Sequence, residues 1–183
     1  VEAILGLKGA LIKTREFDKA LNHLQYGINV KGKDPELIRE VAYIYLLKGD
    51  IVKAEKYFNE ISSIMSNSVS YLSQYGYLLN LKGNLRESLD YYGKAINIDP
   101  YNSNLYNNRA IIYLKLNLFS RALDDLNKAL SINTNDIDAL YNIGFYYEQV
   151  DNNRQKAIEF YKKVLIQNPN YNSAKQRLQI LLN

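Results

Sequence analysis

Apolar side chains along this chain recur at the three- and four-residue spacing of an amphipathic helix, and the pattern itself repeats along the sequence. Small residues mark one helix of each repeat at intervals of 34, and they are Ala42, Gly76, Ala110 and Gly144. A second series marks a following helix, and it comprises Ala20, Ala54, Ser88, Ala122 and Ala157. The last step of that series is 35, which places a one-residue insertion between Gly144 and Ala157. A fixed period of this length indicates an array of stacked two-helix units.

Turn-forming residues separate the two helices inside each unit. Gly49, Gly83 and Asn117 occupy equivalent positions, and Gly and Asn tolerate the left-handed conformation that closes a helix. Pro100 and Pro169 follow second helices, which cannot continue through a proline. The sequence therefore predicts an all-α chain of helix-turn-helix repeats, in which small residues let the two helices of a unit approach closely.

The third unit carries the residues that point to a family. Its characteristic positions are Leu72, Tyr75, Gly76, Leu79, Gly83, Tyr92, Ala95 and Pro100. This pattern resembles the tetratricopeptide repeat, although Ser88 stands where Ala is usual. The resemblance implies a right-handed superhelical α-solenoid of five helix-turn-helix repeats followed by a C-terminal capping helix, with each repeat burying its apolar face against its neighbours.

The boundaries of the repeats follow from the period. We expect five repeats and a capping helix over residues 1–34, 35–68, 69–102, 103–136, 137–171 and 172–183. The first repeat matches the pattern least well, because Lys8 stands where a small residue is expected. The chain also starts inside the apolar pattern, without a polar lead-in or a capping residue. We therefore expect either that the natural protein extends upstream of Val1 or that the N-terminal repeat self-associates.

Composition excludes several kinds of chemistry. The chain has no Cys and one His, His23, so it lacks thiolate ligands for a metal and the residue pairs that activate a nucleophile. The adjacent Asp124 and Asp125 point apart on a helix, and we interpret them as a solvated face with local ion pairing, not as an acid/base pair. Neither an enzyme activity nor a cofactor is predicted.

Charge and hydropathy bear on partners and on location. The net charge of +4 comes from basic residues that are spread along the chain among acidic ones, which argues against a nucleic-acid surface. No uninterrupted apolar run reaches the length of a membrane span. A cytoplasmic location is the expectation, although an absence of Cys is compatible with any compartment.

Two columns on the first helix of each repeat are candidates for ligand binding. Position nine should face away from the second helix, yet it is apolar, with Tyr43, Tyr77, Ile111 and Phe145. Position six, one turn away, holds Glu40, Gln74, Asn108 and Asn142. In tetratricopeptide repeats this face lines a concave groove for an extended peptide. The resemblance thus implies a peptide-binding set of Arg39, Tyr43, Gln74, Tyr77, Asn108, Ile111, Asn142 and Phe145.

One specialised function of the family can be tested residue by residue. Members that hold the C-terminal carboxylate of heat-shock chaperones carry several cations at defined positions of three repeats. The best corresponding set in this chain is Arg39, Tyr43, Gln74, Asn104 and Asn108. Only Arg39 in that set is a cation, so a chaperone-tail adaptor is not predicted.

The leading hypothesis is a protein-interaction module, scaffold or adaptor, and three alternatives stay open at this point. The aromatic residues at position nine could fill the space between neighbouring repeats instead of contacting a ligand. The chain could be a helical-repeat protein that binds single-stranded RNA, with aromatic side chains stacking on bases. It could also be a structural segment of a larger protein, without a ligand of its own.

Overall fold

The computed structural model describes residues 16–183, and every regular element in that range is an α-helix. The helices are α1 (Phe17–Lys31), α2 (Pro35–Lys48), α3 (Ile51–Ile61), α4 (Val69–Leu81), α5 (Leu85–Ile98), α6 (Ser103–Lys115), α7 (Phe119–Ile132), α8 (Ile137–Gln149), α9 (Arg154–Gln167) and α10 (Asn172–Leu182). The predicted all-α fold class is therefore confirmed. The expectations about Lys8 and about the start of the chain lie outside the described residues.

Left-handed residues close the first helix of three pairs, as the turn signals predicted. Gly49, Gly83 and Asn117 have φ angles of 79°, 81° and 59°. Asn152 has a φ of 51° and lies in the turn between α8 and α9, where the one-residue insertion was expected. Each of these residues reverses the chain within a few positions, so that the second helix packs back along the first.

The chain divides into two compact units, one ending at Ile98 and the other comprising Asp99–Asn183. In the first unit, α2 pairs with α3 and α4 pairs with α5, while α1 packs on α2 through a core that contains Leu24, Leu37 and Ile44. In the second unit, α6 pairs with α7, α8 pairs with α9, and α10 packs on α9. Each unit buries its apolar faces between stacked helix pairs.

Glycine lets the two helices of a pair approach closely at the positions that the small-residue series marks. A methyl carbon added at Gly76 would lie 3.1 Å from the Tyr92 ring, and one added at Gly144 would lie 2.8 Å from the Tyr161 ring. Both rings are fully buried. Ser88, the departure from the family pattern, donates a hydrogen bond from its hydroxyl to the Gly76 carbonyl at 2.6 Å. The hydroxyl is thus satisfied inside the core.

Gly93 differs from these glycines, because a methyl carbon added there would meet no atom within 4 Å. It lies inside α5 and has an ordinary helical conformation. We expect Gly93→Ala to raise the free energy of unfolding by about 0.5–1 kcal/mol, since alanine reduces the entropy of the unfolded chain without a clash. Urea denaturation followed by circular dichroism measures this change, and a destabilised variant would contradict the prediction.

The interpretation of Asp124 and Asp125 as a solvated face was wrong for Asp125, which is buried and forms its ion pair with a residue of another helix. Asp124 is exposed, whereas Asp125 is buried and accepts two hydrogen bonds from Arg109, at 2.7 Å from Nε and 2.8 Å from Nη2. The guanidinium also lies 5.7 Å from the centres of the Tyr106 and Tyr113 rings. Arg109 of α6 is therefore paired with a carboxylate of α7, and this bond holds the pKa of Arg109 above its ordinary value.

A second ion pair attaches the C-terminal helix to its unit. Arg177 on α10 donates to both carboxylate oxygens of Glu148 on α8, with an Nε–Oε2 distance of 2.8 Å. The Tyr161 hydroxyl on α9 donates to the same carboxylate at 2.8 Å. Ala174, Leu178 and other apolar residues of α10 pack around Tyr161. One buried carboxylate thus connects three helices, which is the arrangement expected of a capping helix.

Candidate functional site

Side chains on the first helices of successive repeats are joined by hydrogen bonds at a spacing of 35 residues. In the first unit, the Arg39 Nη1 donates to the Gln74 Oε1 at 2.9 Å. In the second unit, the Asn142 Nδ2 donates to the Asn107 Oδ1 at 2.8 Å. Both bonds connect position five of one repeat to position six of the next. They fix the amide groups of Gln74 and Asn142, which are two of the predicted site residues.

Arg39 is buried, with 7% of its surface exposed, although it was predicted to contact a peptide directly. Its guanidinium donates to Glu36 from Nε at 2.9 Å and from Nη2 at 2.7 Å, and to Glu40 at 2.6 Å. Because a guanidinium has only donors, Gln74 must turn its carbonyl oxygen towards Arg39 and its amide nitrogen away. Arg39 therefore orients a neighbouring site residue and has little surface left for a ligand.

In the first unit, the exposed face of the first helices α2 and α4 carries two tyrosines, Tyr43 and Tyr77, in addition to the oriented amide of Gln74. Tyr77 is 39% exposed and Tyr43 is half-buried. Burial raises the pKa of the Tyr43 hydroxyl, and the neighbouring Glu40 carboxylate and Tyr77 raise it further. The Tyr43 hydroxyl is therefore neutral near pH 7, and it can donate or accept hydrogen bonds at the edge of an aromatic surface.

The face of the second unit contains an open cleft of about 310 Å³ between α6 and α8. Its lining residues are Ile111, Leu114, Lys115, Tyr141, Asn142 and Phe145. Three of them, Ile111, Asn142 and Phe145, were predicted from the sequence. Asn108 is partly buried on α6 and does not line the cleft.

Three lining residues were missed by sequence reasoning. Leu114 and Lys115 follow Ile111 by three and four positions, so helical spacing places them on the same face of α6. Tyr141 precedes Asn142 at position five of its repeat, a column that holds the polar Arg39 and Asn107 in other repeats. Helical spacing could have identified Leu114 and Lys115 from the sequence, whereas no sequence pattern pointed to Tyr141.

The walls of the cleft are held in place by the surrounding residues. The Tyr141 ring contacts the Tyr161 and Tyr171 rings, with centroid separations of 5.5 and 5.2 Å. The Tyr171 hydroxyl donates to Asp138 at 3.3 Å, and burial together with this carboxylate raises the pKa of Tyr171 to about 12. The Asn142 amide is bonded to Asn107, so contacts within the protein hold both the aromatic and the amide wall of the cleft.

Three further observations concern metal ligands, membrane-spanning helices and the single histidine in the described part of the chain. Between residues 16 and 183, no group of three or more His, Cys, Asp or Glu side chains is arranged to hold a metal ion. No helix in the same range combines the length and the apolar content that crossing a bilayer requires. His23 is exposed on α1.

Comparison with known families identifies the repeats. Family models described as the tetratricopeptide repeat match residues 69–102, 103–136 and 138–171, which together cover more than half of the chain. The chain belongs to the tetratricopeptide repeat family. The solved tetratricopeptide structures share its fold, and the family assignment makes it a protein-interaction scaffold in general terms.

Individual tetratricopeptide relatives are distant. The chain is 24% identical to the BBSome complex member BBS4 homolog of Drosophila melanogaster over 80% of its length, and 26% identical to Tetratricopeptide repeat protein 6 of Homo sapiens over 88%. It spans 30% and 31% of the length of those relatives. A thermophilic tetratricopeptide protein of Thermus thermophilus has a TM-score of 0.86 at 19% identity, over 99% of this chain and 98% of that one.

Proposed function

We propose that this chain is a scaffold or adaptor that binds an extended segment of a partner polypeptide on the exposed face of its first helices. The observation that carries the proposal is the cleft between α6 and α8, where an apolar surface lies next to an ordered amide. A polypeptide segment in extended conformation offers both apolar side chains and unpaired backbone groups. A surface that binds it must bury the former and form hydrogen bonds with the latter.

The exposed apolar residues support contact with a ligand over a purely structural role. Phe145 is 36% exposed and Tyr77 is 39% exposed, so neither side chain is used up in packing between repeats. Phe and Tyr contribute large contact areas and lose little conformational entropy on binding. In each unit, a side chain at position nine therefore has exposed surface that a partner can contact.

The orientation of the Gln74 and Asn142 amides is an argument for a polypeptide as the partner. Gln74 turns its nitrogen away from Arg39, and Asn142 turns its oxygen away from Asn107. The first unit thus offers a donor for a backbone carbonyl, and the second unit offers an acceptor for a backbone N–H. The relationship to a BBSome complex member supports a place for this chain in a multiprotein assembly.

We expect Phe145→Ser to weaken binding of a peptide ligand about tenfold or more, because the aromatic side chain would no longer be buried on binding. Asn142→Ala should weaken it less, since one hydrogen bond is lost. The peptide is obtained by selecting a phage-displayed library of random peptides on the wild-type chain. Fluorescence polarisation with the synthetic peptide then measures the dissociation constant for each variant.

Ile166→Ser provides the matched control for this experiment. Ile166 is 80% exposed on α9 and does not line the cleft, so the same loss of an apolar side chain should leave binding unchanged. Thermal melts establish that all variants are folded. Selected peptides that bind equally well to wild type, Phe145→Ser, Asn142→Ala and a Tyr77→Ser variant would contradict the proposed function.

A further inference from the structure

One aromatic wall of the cleft between α6 and α8 rests on two rings that are not themselves part of the cleft. Tyr141 lines the cleft and is half-buried. The centroid of the Tyr171 ring lies 5.2 Å from that of Tyr141 at an interplanar angle of 36°, and the Tyr161 ring lies 5.5 Å away at 46°. Neither Tyr161 nor Tyr171 lines the cleft. The position of the Tyr141 ring therefore depends on residues outside the cleft.

Tyr171 connects this wall to the C-terminal helix α10. The helix begins at Asn172, and Tyr171 is its N-cap residue. The Tyr171 hydroxyl donates to Asp138 on α8 at 3.3 Å, and its backbone N–H donates to the Asn168 carbonyl at 3.1 Å. The ring of Tyr171 is thus held from its backbone and from its hydroxyl, between α8 and the start of α10.

Tyr161 connects the same wall to α10 by a second route. Its ring is fully buried, and its hydroxyl shares the Glu148 carboxylate with the guanidinium of Arg177 on α10. Ala174 of α10 is buried in the same apolar cluster as Tyr161. A displaced α10 would leave the Glu148 carboxylate short of donors and the Tyr161 ring short of neighbours, and both changes are unfavourable.

We propose that α10 is a positioning element of the ligand site, with Tyr171 acting through the ring of Tyr141 to set one wall of the cleft. The inference rests on the proposed function, and it gives the C-terminal helix a part in binding besides covering the apolar face of the last repeat. Without the Tyr171 ring, other staggered rotamers are open to Tyr141, and a ligand must select one of them on binding. Loss of Tyr171 should therefore weaken binding, although Tyr171 does not line the cleft.

The test uses the phage-selected peptide and measures its dissociation constant by fluorescence polarisation. Tyr171→Ala should raise the dissociation constant about three- to tenfold, which corresponds to the loss of an aromatic pair. Tyr171→Phe keeps the ring, and it should bind the peptide within about twofold of the wild type. Tyr171→Leu keeps most of the apolar volume but not the ring, and it should weaken binding about two- to fivefold. If Tyr171→Ala does not fold in a thermal melt, Tyr171→Leu decides the test.

A double-mutant cycle separates positioning from a general loss of stability. Tyr141→Ala should weaken binding by itself, and adding Tyr171→Ala should cause no further loss, because Tyr171 acts through a ring that is then absent. Phe58→Leu is the matched control for stability, since Phe58 is fully buried in the first unit and does not line the cleft. This control should lower the melting temperature and leave the dissociation constant unchanged.

The outcomes separate this inference from the proposed function. A peptide that depends on Phe145 but binds the folded Tyr171 variants as tightly as the wild type would overturn the role of α10 and leave the proposed function intact. Additive losses in the Tyr141→Ala and Tyr171→Ala cycle would also overturn it, because Tyr171 would then act independently of Tyr141. If no selected peptide depends on Phe145, Asn142 or Tyr77, the proposed function is wrong and this inference fails with it.

Discussion

Gly144→Leu is expected to lower the free energy of unfolding by about 3 kcal/mol, which is at the upper end of the range for overpacked cores. The first carbon of the new side chain would lie 2.8 Å from the Tyr161 ring, closer than non-bonded carbon atoms approach. Tyr161 cannot move aside easily, because its hydroxyl is bonded to Glu148 and its ring contacts Tyr141. Either α8 and α9 separate, or the ring leaves its buried position, and both changes expose apolar surface.

Chemical denaturation followed by circular dichroism measures this effect, and two other glycines serve as comparisons. Gly76→Leu should be destabilising by about 1–3 kcal/mol, since the corresponding ring of Tyr92 lies at 3.1 Å. Gly93→Ala, which meets no neighbouring atom, is the control for a glycine without a close contact. A Gly144→Leu variant as stable as the wild type would show that α8 and α9 do not approach each other closely at this position.

Asp125→Ala should cost about 2–3 kcal/mol, because it leaves the guanidinium of Arg109 without its carboxylate in a mostly buried position. Arg109 has 21% of its side-chain surface exposed, so water can compensate for only part of the loss. Asp124→Ala is the matched control on the adjacent, exposed position, and it should change stability by less than about 0.5 kcal/mol.

A double-mutant cycle tests whether the cost arises from the unpaired charge. The combined variant Arg109→Met and Asp125→Leu replaces both partners by apolar side chains of similar size, and it should be more stable than Asp125→Ala alone. Urea denaturation of the wild type, Arg109→Met, Asp125→Leu and the double variant yields the coupling energy. Additive effects of the two single changes would contradict the pairing of Arg109 with Asp125.

The repetitive features of this protein could be predicted from its sequence because they depend on local conformation. A left-handed residue such as Asn117 is needed wherever a helix closes tightly, and a small residue such as Ala110 or Gly144 is needed where the two helices of a repeat touch. Each requirement recurs with every repeat, so the period of 34 makes it visible. The apolar column at position nine was recognised in the same way, and it located Ile111 and Phe145 of the cleft.

The roles of the polar side chains were decided by the tertiary structure. Arg39 was predicted as a ligand contact and Asp125 as a solvated residue, yet both are buried in ion pairs of the protein itself. A long or charged side chain can reach several neighbours, and the one that it pairs with depends on distances between residues that are far apart in sequence.

The sequence by itself thus determined the helices, their turns and the small residues at their contacts, because backbone conformation and close packing restrict the residue type at each position. Only the tertiary structure decided which polar groups form bonds inside the protein and which stay exposed. Tyr141 is the clearest case, because it shares a repeat position with the buried Arg39 and Asn107 but lines the cleft beside Lys115. The same position in a repeat can be buried between helices or can line a cleft, depending on which neighbours fill the space around it.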